Sequence, residues 1–138
     1  MRPRRLLAAL VSLALAVPTA LTGTGPASAA AGDLFLSEYV EGSGFNKAIE
    51  IFNGTGAAVD LAAEGYTLEL YSNGAAAPSQ TVALSGVVAD GDVHVVSRAD
   101  ADPAIVAQTD QLAPAVANWN GDDAIALRHD GTAIDVLG

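Results

Sequence analysis

Two groups of carboxylates stand where chemistry could gather in this 138-residue chain. Glu38, Glu41 and Glu50 flank a glycine-bearing loop in the run Ser37-Glu38-Tyr39-Val40-Glu41-Gly42-Ser43-Gly44-Phe45-Asn46-Lys47-Ala48-Ile49-Glu50. Asp122 and Asp123 follow Asn120-Gly121. If folding brings the two loops together, oxygens from Glu38, Glu41, Asp122 and Asp123 could collect a hard cation such as calcium. The spacing is not that of a twelve-residue EF-hand loop. Asp and Asn also favour turns for local reasons, so the same side chains read as solvated carboxylates of strand edges and turns.

The remaining candidates offer less. Asp90-Gly91-Asp92 reads as a turn before a strand, and Asp100-Ala101-Asp102 as the start of a helix. His94 and His129 are the two histidines. Alternation with Val93 and Val95 places His94 on an exposed sheet face, and His129 falls in a turn beside Asp130. A general base needs a nucleophile or a held water within hydrogen-bond reach. The sequence has no G-x-S-x-G elbow, no cysteine and no phosphate-cradling loop, so no catalytic residue is assigned. Lys47 is expected to pair with Glu38 or Glu50 on a neighbouring strand. Phe45 and Trp119 are expected to cover the open end of the core, and Asn53-Gly54-Thr55 matches an N-glycosylation acceptor.

The ends and the charge set the frame. Met1-Arg2-Pro3-Arg4-Arg5, the apolar run Leu6 to Val17 and the small-x-small Ala27-Ser28-Ala29 have the form of a secretory signal peptide over residues 1–29. Its apolar centre is short for a membrane span, so no membrane association is expected after cleavage. Arg4-Arg5 leaves the choice between general and twin-arginine export open. The mature part, residues 30–138, is the size of one domain. It carries Lys47, Arg98 and Arg128 against sixteen carboxylates, a net of −13. Such a surface repels bare nucleic acid, whose affinity comes from clustered Lys and Arg. Without cysteines, a secreted domain must hold itself by packing and ladder hydrogen bonds, or by bound metal.

The elements that must position these residues are strands. Apolar and polar residues alternate in short runs punctuated by Gly, Asn and Asp. The pattern predicts strands over Leu34–Tyr39, Ala48–Phe52, Tyr66–Tyr71, Thr81–Leu84 and Val93–Ser97. Two more are centred on Ile125–Leu127 and Thr132–Val136, with a bridge at Val59-Asp60-Leu61. Tyr66, Leu68 and Leu70 should face inward. Asp102 as N-cap and Pro103 at the first position predict a short helix through Gln108. Arg128-His129-Asp130-Gly131 reads as a turn. Seven short strands and little helix give an all-β, two-sheet sandwich.

In order and spacing, several pieces resemble the lamin-tail domain, an immunoglobulin-like β-sandwich, and more narrowly the form at the front of secreted bacterial nucleases. They are Ser37-Glu38-Tyr39 with Asn46-Lys47-Ala48-Ile49-Glu50-Ile51, Asn120-Gly121-Asp122-Asp123-Ala124-Ile125, Val59-Asp60-Leu61 before Tyr66-Thr67-Leu68-Glu69-Leu70, and Ile134-Asp135-Val136-Leu137-Gly138. The resemblance spans roughly Leu34 to Gly138. It implies a secreted, extracellular, bacterial protein whose module binds or positions and does no chemistry itself. In such relatives a metal-dependent endonuclease/exonuclease/phosphatase-like domain follows. The expected partner is accordingly a protein or glycan, or a downstream catalytic domain of a longer protein of which this chain is the N-terminal part. A stand-alone surface-adhesion module is the other expectation.

Overall fold

The computed structural model describes residues 31–138; the expected signal peptide lies outside them. The chain forms β1 (Phe35–Glu41), β2 (Lys47–Phe52), β3 (Val59–Asp60), β4 (Tyr66–Tyr71), β5 (Gln80–Ala83), β6 (Val87–Val88), β7 (Val93–Ser97), α1 (Pro103–Val106), β8 (Gln111–Leu112), β9 (Ala124–His129) and β10 (Thr132–Leu137). One sheet has the order β1-β2-β7-β8 and the other β10-β9-β4-β5, with β3 and β6 as a separate two-stranded ladder. Every pairing is antiparallel except β7 with β8. The architecture is the expected β-sandwich.

Inward-facing residues of both sheets make one core. Leu34, Ile49, Ile51, Leu61, Leu68, Val96, Ile125, Leu127 and Trp119 are all buried within it. Each fully buried side chain of this kind stabilises the fold by about 1.5–3 kcal/mol relative to exposure. Tyr66, Leu68 and Leu70 point inward as the alternation requires. The two sheets are laced at their sides by side chains. At one edge Asp135 of β10 accepts the Leu36 amide of β1 at 2.8 Å. At the other, Gln111 of β8 accepts the Ser85 amide at 3.0 Å and donates to the Ala83 carbonyl at 2.9 Å. These contacts satisfy backbone groups that an open sheet edge leaves unpaired.

Several expectations shift. β1 begins one residue later and runs on to Glu41, with a bulge between Leu36 and Glu38. β6 and β8 are two residues each and too short to show a period. The helix forms as expected at its start, where Asp102 Oδ1 accepts the Ala104 amide at 2.9 Å, but it ends at Val106. Arg128 and His129 belong to β9, and the turn contracts to Asp130-Gly131, both at positive φ (46° and 76°). That is the two-residue hairpin turn that favours Asp-Gly. Among the described residues no helix is long and apolar enough to cross a membrane.

Candidate functional site

A concavity lies on the outer face of the first sheet. The register of β1, β2 and β7 sets three cross-strand rows on this face, Phe35–Phe52–Val93, Glu38–Glu50–Val95 and Val40–Ala48–Ser97, of which Glu38, Val40, Ala48, Glu50, Val93 and Val95 line the concavity. The inner-facing alternates are Ile49 opposite Val96 and Ile51 opposite His94. The face opposite the core is therefore largely apolar, with Glu38 and Glu50 in its middle row.

The crossover from β7 to β8 builds one wall. Asp102 donates its amide to Asn46 Oδ1 at 2.8 Å, which ties the start of α1 to the β1–β2 loop. Thr109 donates its hydroxyl to the Ile105 carbonyl at 2.9 Å and lies 2.6 Å from Ser97 Oγ. Asp110 grips β7 twice: its amide donates to the Val95 carbonyl at 2.9 Å, and its Oδ2 accepts the Val95 amide at 2.8 Å. Asp110 thereby extends the Glu38–Glu50–Val95 row. The half-open groove has a volume of about 480 Å³, with Ala104, Ile105 and Gln108 on the helix side. That is within the usual range for ligand pockets.

Four carboxylates rim this groove: Glu38, Glu50, Asp92 and Asp110. Glu50 Oε1 accepts the Ser37 hydroxyl at 2.7 Å and Asp92 Oδ1 accepts the Val93 amide at 2.9 Å. Among the described residues all three basic side chains pair elsewhere. Lys47 lies 3.9 Å from Glu41, Arg98 2.7 Å from Asp100 and Arg128 2.6 Å from Glu69. The expected pairing of Lys47 with Glu38 or Glu50 is thus replaced by one with Glu41, its register partner, and Lys47 Nζ also donates to the Gly42 carbonyl at 3.0 Å.

The four calcium candidates are not gathered into one cluster. Glu38 lies in the groove, whereas Glu41 and Asp123 line a separate hollow of about 290 Å³ with Tyr39 and Leu137. Asp122 is exposed on the turn before β9. Asp123 is buried, and both its oxygens accept protein donors: Oδ1 the Asn73 amide at 2.8 Å, Oδ2 the Asn120 amide at 2.9 Å. Glu41 Oε2 accepts the Tyr39 hydroxyl at 2.8 Å. Among the described residues no three His, Asp or Glu side chains converge as a metal centre.

The histidines also move from their expected places. His94 is buried, not exposed, because β7 is apolar on both faces and its register with Ile51 decides which face turns inward. Burial pushes its imidazole below the ordinary histidine range, against the pull of Asp110 and the 3.3 Å contact with Gln111. His129 stacks on Tyr66 with ring centroids 4.3 Å apart, and its Nδ1 lies 2.8 Å from Asp33 Oδ2. No sequence signal marks the Asp33–His129 pair, because the two residues sit at opposite ends of the domain. Asp33, Tyr66, His129 and Thr55 line a further hollow of about 300 Å³, where the Thr55 hydroxyl donates to Asn53 Oδ1 at 2.8 Å.

Phe45 does not cover the core. It is 53 % exposed and lies over the buried Arg98 guanidinium, 4.1 Å from ring centroid to Cζ. Trp119 alone plugs that end, 1 % exposed, with its Nε1 donating to the Val40 carbonyl at 3.2 Å. The Asn53 side chain of the glycosylation triplet is fully buried, and its Nδ2 donates to the Ala57 and Val88 carbonyls, each at 2.8 Å. A glycan on that nitrogen is incompatible with this packing.

The site is therefore an acid-rimmed, partly apolar groove on a sheet face. No curated protein matches the chain. The family model described as Lamin Tail Domain matches residues 27–138, most of the chain, and agrees with the immunoglobulin-like sandwich; the chain belongs to the lamin tail domain family.

Proposed function

We propose that this chain is a secreted, non-catalytic lamin-tail module that binds a partner or positions a neighbouring catalytic domain within a larger extracellular protein. The observation that carries this reading is the groove between α1 and the first sheet. Its walls are held by backbone ladders and paired side chains, and its lining offers carboxylates and apolar surface but no Ser, Thr, Lys or His. Such a surface suits recognition more than bond-breaking. The basic start, apolar run and Ala27-Ser28-Ala29 of the first 29 residues support export. The net of −13 over the rest argues against bare nucleic acid as the ligand.

The segments around Ser37–Ile51 and Asn120–Ile125 favour a parent protein of the extracellular endonuclease kind, in which a separate domain would cleave DNA. The full chain, expressed with its leader and purified from the medium, tests the reading. The expected product begins near Ala30 and leaves DNA intact in the presence of magnesium and calcium. Hydrolysis that co-purifies with the chain overturns the non-catalytic reading, and retention inside the cell overturns the secreted one.

A further inference from the structure

Building on the reading of the chain as a binding module, we propose that the groove docks an extended polypeptide segment of the pattern apolar-x-basic-x-apolar, where basic is Lys or Arg. The argument is one of register. Along β2, successive outward residues Phe52, Glu50 and Ala48 stand about 6.8 Å apart, the two-residue repeat of a strand. An extended ligand running beside them presents its own alternate side chains at the same repeat. The first row it meets has Val93 in the groove, with Phe52 beside it and Asp92 at its margin; the second is acidic, with Glu38, Glu50 and Asp110 around Val95; the third is apolar, with Val40, Ala48 and the adjoining Ile105. A cation in the middle position faces three carboxylates, and its apolar neighbours fall on apolar floor.

Charge complementarity selects this occupant over others. Glu38, Glu50, Asp92 and Asp110 form no salt bridge within the described residues, so a cationic ligand meets negative charge that no protein cation neutralises. A divalent ion alone fits poorly, because the acids are spread across a row of strands and do not converge on one point. A polyamine would satisfy the acids and leave the apolar rows uncovered. A charge-assisted contact on this partly enclosed floor is stronger than on open surface, although it weakens with salt.

The test is a titration of the isotope-labelled exported protein at low ionic strength, followed by amide NMR. The probe is the capped peptide Leu-Ser-Lys-Ser-Leu, with Leu-Ser-Leu-Ser-Lys as a control of equal composition and charge. The expected result is shifts centred on Glu38, Ala48, Glu50, Val95 and Ile105, with the control binding about fivefold more weakly. The double variant Glu38→Gln, Glu50→Gln keeps strand shape and the Ser37 contact; it should lose about tenfold in affinity. Glu64→Gln, an exposed acid outside the groove, should bind as the parent does.

Shifts elsewhere, equal binding of the two peptides, equal binding by the double variant, or matching shifts from spermidine at the same concentration would each overturn the proposal. So would the absence of shifts at millimolar peptide. All of these outcomes concern the partner class alone; DNA hydrolysis by the same preparation would instead strike the binding-module reading beneath it.

Discussion

Asp33 and His129, ninety-six positions apart, close the start of the domain onto its second sheet through a 2.8 Å contact, with the Tyr66 hydroxyl donating to the same carboxylate at 2.5 Å. Burial works to raise the Asp33 carboxyl, but hydrogen bonds from Tyr66, His129 and the Leu34 amide together hold it below its ordinary value. The hydrogen bond to Asp33 raises His129, with burial opposing and nearby acids assisting.

The signs fix a pH window. Asp33 is lowered, so its contribution is present above the unfolded value of 3.8 and lost as pH falls through the folded one. His129 is raised, so its contribution is complete below 6.5 and lost as pH rises through the folded value. His129→Phe keeps the stack on Tyr66 and removes the pair. The melting-temperature gap between parent and His129→Phe should be widest between about pH 4 and 6.5 and narrow on both sides. A gap that is flat with pH would contradict the pairing.

Asn53 has no exposed surface and uses both ends of its amide: Nδ2 donates to Ala57 and Val88, and Oδ1 accepts the amide and hydroxyl of Thr55. Asn53→Ala strands these groups in a buried site, so urea unfolding should report a loss of about 3 kcal/mol. Asn53→Asp keeps the acceptor and sets a carboxylate against two carbonyls; it should be at least as damaging.

Gln111 and Asp135 lace opposite sides of the sandwich. The edges are three strand spacings apart, about 14 Å. Gln111→Ala and Asp135→Ala should each cost about 1 kcal/mol. Sites so separated should add to within about 0.5 kcal/mol in the double variant. A large coupling in a denaturation cycle would mean that the two edges do not act independently.

Arg98 is held by a planar fork. Nε and Nη2 donate to the two oxygens of Asp100, Nη1 donates to Asn118 Oδ1 at 2.7 Å, and Phe45 covers the guanidinium. Lysine cannot reproduce a two-pronged, stacked contact. Arg98→Lys should lower the melting temperature by roughly 5 °C. Recovery of the parent value in Arg98→Lys would show that charge alone suffices there.

Elements with a strong local signature were legible from residue order. Tyr66–Tyr71 alternates so plainly that its inward face follows from the two-residue period of a strand, and Asp102-Pro103 announces a helix start by capping chemistry alone. The sandwich class, the charge of −13 over residues 30–138 and the lack of cysteine likewise need no coordinates. What the residues left undecided required partners distant in the chain. Val93–Val96 is apolar on both faces, so only pairing with Ile49 and Ile51 determined that His94 turns inward and Val95 outward. Lys47 could reach several acids, and register chose Glu41. The groove is likewise invisible in the sequence: Glu38, Glu50, Asp92 and Asp110 become neighbours only when three strands align and α1 folds back across them. Periodicity and capping act within a few residues and are written locally, whereas a shared surface is a property of register, which long-range burial alone can set.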